Sequence, residues 1–138
     1  MSVDIGMYRK NSPKVLTTAD LDVLNSDFDV IIDFILPESN KVISFRANPK
    51  DEKLKETFGP KPQADMKGLT GRFTPSFNLN ADGIYWTTLY NYSETNFWNA
   101  FVKVYTQIAK SLNMLIEDPQ SDTRDITPEE FLSTQTTT

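Results

Sequence analysis

Apolar and polar positions alternate at the start of the chain. Val3, Ile5 and Met7 are set against Asp4, Gly6 and Tyr8 over residues 3–9, the pattern of a half-buried strand. Asn11, Ser12 and Pro13 break it. Thr17 or Thr18 then caps a short helix carrying Leu21 and Leu24, which ends near Asn25. Residues 29–36 read as the clearest strand, with Val30, Ile32, Phe34 and Leu36 on one face and Asp29, Ile31, Asp33 and Ile35 on the other. Pro37-Glu38-Ser39-Asn40 turns it into a second strand, 41–47. Pairing Leu36 with Lys41 sets Phe34 opposite Ile43 and Ile32 opposite Phe45. Arg46 then lies opposite Ile31, within reach of Asp29 and Asp33.

Asn48-Pro49 predicts the start of a short charged helix that stops at Gly59, followed by a surface loop over 59–68. A second hairpin follows. Phe73, Phe77 and Leu79 share a face on one arm, Asn80-Ala81-Asp82-Gly83 forms the turn, and Ile84, Trp86 and Tyr90 answer, with Phe77 opposite Trp86. Pro75 cannot donate to a ladder, so its strand is expected at an edge or interrupted there. Residues 93–112 form the main helix, with Asn91 or Ser93 as cap and Phe97, Phe101, Val104, Tyr105, Ile108 and Leu112 on one face. Asn113 stops it. Met114-Leu115-Ile116 reads as a short strand closed by an Asp118-Pro119 turn. Thr127-Pro128-Glu129-Glu130 opens a final helical stub anchored by Phe131 and Leu132.

These elements predict a single α+β domain over residues 1–132, followed by a disordered tail, 133–138. The expected architecture is a mixed, largely antiparallel sheet with one long helix of the C-terminal half packed on a face.

Composition narrows the function. The chain has 138 residues with no histidine and no cysteine. The usual general base near neutral pH is therefore missing, as are the thiolate nucleophile and the soft metal ligands. Carboxylate, Lys, Tyr, Ser and Thr chemistry remains. No G-x-S-x-G elbow or phosphate-binding loop accompanies it, since Gly68-x-x-Gly71 with Arg72 lacks the rest of that pattern. The expectation is a protein that is not an enzyme and has no cofactor and no metal. The absence of cysteine, of a signal-peptide run and of a membrane-length apolar stretch predicts a cytoplasmic chain.

Charge is uneven along the chain. Residues 1–112 are neutral, and the net charge of −5 sits in residues 113–138, where Glu117, Asp118, Asp122, Asp125, Glu129 and Glu130 face Arg124 alone. Residues 15–40 are also acidic, with no Lys or Arg. This argues against nucleic acid and anionic membranes and permits a basic protein partner. The candidate partner-binding residues are Asp20, Asp22, Asp27, Asp29, Asp33, Glu117 and Asp118. Tyr85 and Tyr92 join them as aromatic anchors, because Tyr85 alternates away from Trp86 and Tyr92 sits at the strand–helix junction. Asp20-x-Asp22 and Asp27-x-Asp29 are hard-cation candidates, but a helix start and a turn account for them. Asp29, Asp33 and Glu117 are the acid–base candidates of an alternative reading as a small carboxylate enzyme, with Mg²⁺ as its expected metal. A third reading is a phage or bacterial structural or adaptor protein that self-associates through the Pro75 strand or through the aromatic strand–helix junction.

The opening SVDIGMYR, the aromatic segment FWNAFVKVYTQIAKSLNMLIEDPQ and the closing DITPEEFL resemble the layout of small cytosolic immunity proteins of bacterial polymorphic-toxin and secretion-system loci. That resemblance implies a protein that neutralises one cognate toxin by direct binding and occlusion. Acidic surfaces suit a basic toxin domain, because complementary charge speeds encounter.

Overall fold

The computed structural model describes residues 3–57, 75–89 and 95–136. Seven strands form one sheet in the order β2-β3-β4-β5-β1-β6-β7. They are β1 (Val3–Tyr8), β2 (Phe28–Leu36), β3 (Lys41–Pro49), β4 (Ser76–Leu79), β5 (Tyr85–Leu89), β6 (Leu115–Asp118) and β7 (Thr123–Ile126). Every pairing in it is antiparallel, so the α+β class holds and no parallel pair makes the sheet mixed. The helices are α1 (Thr18–Leu21), α2 (Glu52–Thr57), α3 (Thr95–Ser111) and α4 (Pro128–Gln135). No helix among the described residues is long and apolar enough to cross a membrane.

Helix α3 buries the face its spacing predicts. Phe97, Phe101, Val104, Tyr105 and Ile108 are all inside, and Leu112 follows just beyond its end. An aromatic chain ties it to the sheet. Phe45 stacks on Phe77 at 4.7 Å between centroids, Phe77 meets Tyr105 at 5.8 Å, and Tyr105 meets Phe101 at 5.1 Å. Each ring so buried contributes about 1.5–3 kcal/mol relative to exposure. Asn113 ends the helix in the left-handed region at φ 58°, as its residue type predicts.

Helix α4 extends beyond the expected stub. Thr127 accepts from Glu130 N–H at 3.1 Å, and Pro128 occupies the first turn. Phe131 packs on Tyr105 at 5.8 Å, and Trp98 Nε1 donates to the Gln135 carbonyl at 3.0 Å. Those anchors hold the helix through Gln135, where the sequence suggested a disordered tail from Ser133.

Three other elements differ from the sequence pattern. Strand β3 runs on to Pro49, and α2 begins only at Glu52. The Asp51 carboxylate accepts from Lys53 N–H at 3.0 Å and supplies the cap that Asn48 does not. Strand β7 has no counterpart in the sequence pattern, because Thr123, Arg124 and Asp125 are exposed and leave Ile126 as its one buried residue. Strand β4 is interior, between β3 and β5, although Pro75 immediately precedes it.

Both hairpins show how turn length sets register. In the first, Leu36 faces Lys41, Ile32 faces Phe45 and Ile31 faces Arg46, as expected. The middle is irregular. Phe34 faces Ser44 rather than Ile43, and Asp33 and Ile43 have no opposite residue. The second hairpin is displaced by one residue, with Asn78 facing Trp86 and Leu79 facing Tyr85. Its turn closes through Asn80 N–H to the Ile84 carbonyl at 2.9 Å, with Gly83 at φ 83°. Asn80 Oδ1 also accepts from the Asp82 and Ile84 N–H groups at 3.0 Å each. A one-residue shift exchanges faces, so Tyr85, Thr87 and Leu89 point into the core. Phe73, Tyr90, the helix caps Asn91 and Ser93, and the 59–68 segment lie outside the described residues.

Candidate functional site

The strand order places the two acidic segments at opposite ends of the sheet. Residues 28–36 form one edge as β2, and residues 115–126 form the other as β6 and β7. The candidate acids therefore do not assemble into one surface.

At the first edge, β2 is anchored chiefly at its start. Phe28 is buried, Val30 and Ile35 are half-buried, and the other residues of the strand are exposed. Ile31, Ile32, Phe34 and Leu36 are 45%, 38%, 56% and 42% exposed, and neighbouring Val23 is 55% exposed. No larger set of exposed apolar side chains occurs among the described residues. Consecutive strand residues face opposite sides, so Ile31 and Ile32 expose apolar surface on both sides of this edge, a feature of interaction surfaces. The turn that follows β2 puts Asn40 at φ 56° and is closed by Ser39 N–H to the Leu36 carbonyl at 3.3 Å.

Acids frame the strand. Asp33 holds Arg46 through both carboxylate oxygens, with Arg46 Nη2 at 2.9 Å and Nε at 3.0 Å. Asp29 lies 4.0 Å from Lys50, whose ammonium also donates to the Asn25 carbonyl at 2.7 Å. Asp22, Asp27 and Glu38 form no ion pair among the described residues. They flank the two ends of β2 and leave that edge negative.

The remaining candidates have structural work elsewhere. Asp20 completes a capping box with Thr17, accepting from Thr17 N–H at 2.9 Å, and lies 3.7 Å from Arg9. Asp118 is 6% exposed and accepts from Gln120 N–H at 3.1 Å, capping a single helical turn over Pro119–Ser121. Tyr85 is fully buried, which corrects its reading as a surface anchor. Trp86, expected inside, is the half-exposed member of that pair. Tyr92 lies outside the described residues.

Glu117 belongs to a separate open cleft of about 730 Å³ on the sheet face opposite α3. Arg124 Nε stands 2.9 Å from its Oε1. Beside them the Tyr8 hydroxyl donates to Asp125 Oδ1 and accepts from Asp125 N–H at 2.8 Å, while Lys10 is 3.1 Å from the same carboxylate. The hydrogen bonds from Tyr8 and then Lys10 hold the Asp125 carboxyl below its ordinary value. Burial, followed by the Asp125 hydrogen bond, pushes the Tyr8 phenol up. These carboxylates are engaged by cations and a phenol. Among the described residues, no group of three or more carboxylates could hold a metal ion.

The sequence pattern puts the aromatic anchors at Tyr85 and Tyr92, but among the described residues the largest set of exposed apolar side chains is at β2. A stronger signal was present in the sequence. Residues 28–36 carry no Lys, Arg or Pro, the residues that usually protect a sheet edge.

Comparison of the chain with family models, curated proteins and solved structures gives no match.

Proposed function

We propose that this chain is a protein-binding module of the immunity type, which neutralises a cognate bacterial toxin by direct binding and occlusion. The exposed Ile31, Ile32, Phe34 and Leu36, framed by unpaired acids, carry this reading. Apolar anchors supply contact area, and Asp22, Asp27 and Glu38 favour a basic surface opposite.

The test is co-expression with the protein encoded beside this gene. The expected result is a stable complex on size exclusion and protection of the host from that protein's toxicity. Phe34→Lys should weaken both. An intact wild-type chain that neither binds nor protects would exclude the reading.

The carboxylate-enzyme alternative needs at least two of Asp29, Asp33 and Glu117 in one pocket. Asp29 and Asp33 share the β2 edge, where neither lines an enclosed site, and Glu117 is on β6. Four strands intervene, so Glu117 is roughly 24 Å from the other two at the usual strand spacing. The adaptor alternative used the Pro75 strand, which has neighbours on both sides, or the aromatic junction, where Tyr85 is buried and Tyr92 lies outside the described residues. No observation favours either over recognition at β2.

A further inference from the structure

We infer that β2 is a docking strand, which takes up an extended, positively charged segment of the partner protein as an eighth strand of the sheet. The inference rests on the protein-binding reading above and specifies how that binding occurs.

The sheet treats its two edges differently. Strand β7 has four residues, carries Arg124, and has left-handed residues at Asp125 and just before it at Asp122. Short length, charge and local distortion are the usual means of blocking strand addition. Strand β2 is nine residues long with neither Pro nor a basic residue, and its pairing shifts register on both sides of Phe34. Among the described residues it pairs with β3 alone. In an antiparallel ladder, alternate residues direct their N–H and C=O groups away from the existing partner. Along β2 those outward groups bond to no other described strand, and apolar side chains stand beside them. Main-chain bonds and alternate side-chain contacts are the two components of strand addition.

Charge selects the occupant. Asp27 precedes the strand, Glu38 follows it, and Asp29 is 57% exposed with only a 4.0 Å contact to Lys50. A second copy of this chain, paired antiparallel about Ile32, would set Asp27 of one copy opposite Pro37 of the other, one residue from Glu38, at both ends. Two acidic ends disfavour that pairing, whereas a segment with Lys or Arg at both ends is attracted.

The experiment titrates the full chain with a nine-residue peptide alternating valine and threonine with lysine at each end. A matching peptide carries glutamate at each end, and a third has proline at its centre. Amide NMR and hydrogen exchange supply the readout. The lysine peptide should slow exchange at alternate amides of β2, with the alternation broken only around Asp33 and Phe34. The glutamate and proline peptides, and Phe34→Lys tested with the lysine peptide, should each bind at least about tenfold more weakly.

Failure of the lysine peptide to bind overturns the inference. So does binding without alternate protection, which would mean side-chain docking on the apolar patch; protein recognition at β2 would then still stand. Equal binding of the glutamate peptide overturns the charge assignment. Alternate protection that appears in the chain alone as its concentration rises would identify a second copy as the occupant. The co-expression test judges the protein-binding reading separately.

Discussion

Leu16 and Tyr85 meet in the core, where the Leu16 N–H donates to the Tyr85 hydroxyl at 3.0 Å. The same hydroxyl donates to the Val42 carbonyl at 2.7 Å, so one phenol satisfies two buried backbone groups where the chain enters α1. Tyr85→Phe leaves both without a partner. The expected cost is about 1–3 kcal/mol. It should appear as a lower urea midpoint at unchanged slope. Partner binding by the fraction that remains folded should not change. Weakened binding at full stability would return Tyr85 to the interface.

Phe34 is expected to behave in the opposite way. At 56% exposure it contributes little to the core. Phe34→Lys should therefore alter stability by no more than about 0.5 kcal/mol. Light scattering at increasing concentration should find variant and wild type equally unassociated, because the acidic ends of β2 disfavour pairing of two copies. Loss of more than about 2 kcal/mol would show that Phe34 is a core residue.

The sequence revealed those parts of the fold that depend on local chemistry. The Thr17 and Thr127 caps, the Asn113 stop and the buried stripe of α3 are legible because each is decided within a few residues. The Asp33–Arg46 pair was legible because a four-residue turn fixed the surrounding register. Tyr85 was misplaced because its face depends on how the Asn80–Ile84 turn closes, and one residue of register reverses it. Strand β7 was hidden because it follows the pairing of Ile126 with Ile116 rather than a pattern of its own. The candidate edge was only half visible. Alternation revealed a strand at 29–36, but not that most of its residues are exposed. That depends on strand order, which local periodicity does not encode.

Gly6 faces Trp86 across the β1–β5 ladder. A Cβ at Gly6 would lie 2.7 Å from Ile84 Cγ2 and 3.0 Å from Trp86 Cζ3. The first is closer than carbon atoms tolerate and the second is tight enough to require Trp86 to give slightly, and both neighbours line the cleft that holds Glu117. Gly6→Ala should destabilise by about 1–3 kcal/mol through overpacking. Because Ile84 is the nearer obstacle, Ile84→Ala should absorb part of that cost. A double-mutant cycle should then give a coupling of about 0.5 kcal/mol or more, whereas strict additivity would exclude the clash.

The Tyr8–Asp125 bond predicts a stability difference that depends on pH at both ends of the scale. The folded chain holds the Asp125 carboxyl below 3.8, chiefly through the Tyr8 hydroxyl. The associated stability is fully present above the unfolded value of about 3.9 and is lost as pH falls through the lower folded value. The Tyr8 phenol is raised above 10.0 by burial and then by Asp125. Its contribution is present below the unfolded value and declines as pH rises past about 10 through the folded value. Tyr8→Phe removes both contributions. The Tyr105 phenol, pushed well above 10.0 by burial, is common to wild type and variant, so its alkaline effect cancels in the comparison. The stability advantage of wild type over Tyr8→Phe should be greatest near neutrality and narrow below about pH 4 and above about pH 10. Urea midpoints of the two proteins across that range supply the measurement. An advantage constant at every pH would show that the phenol only packs and does not hold the carboxylate.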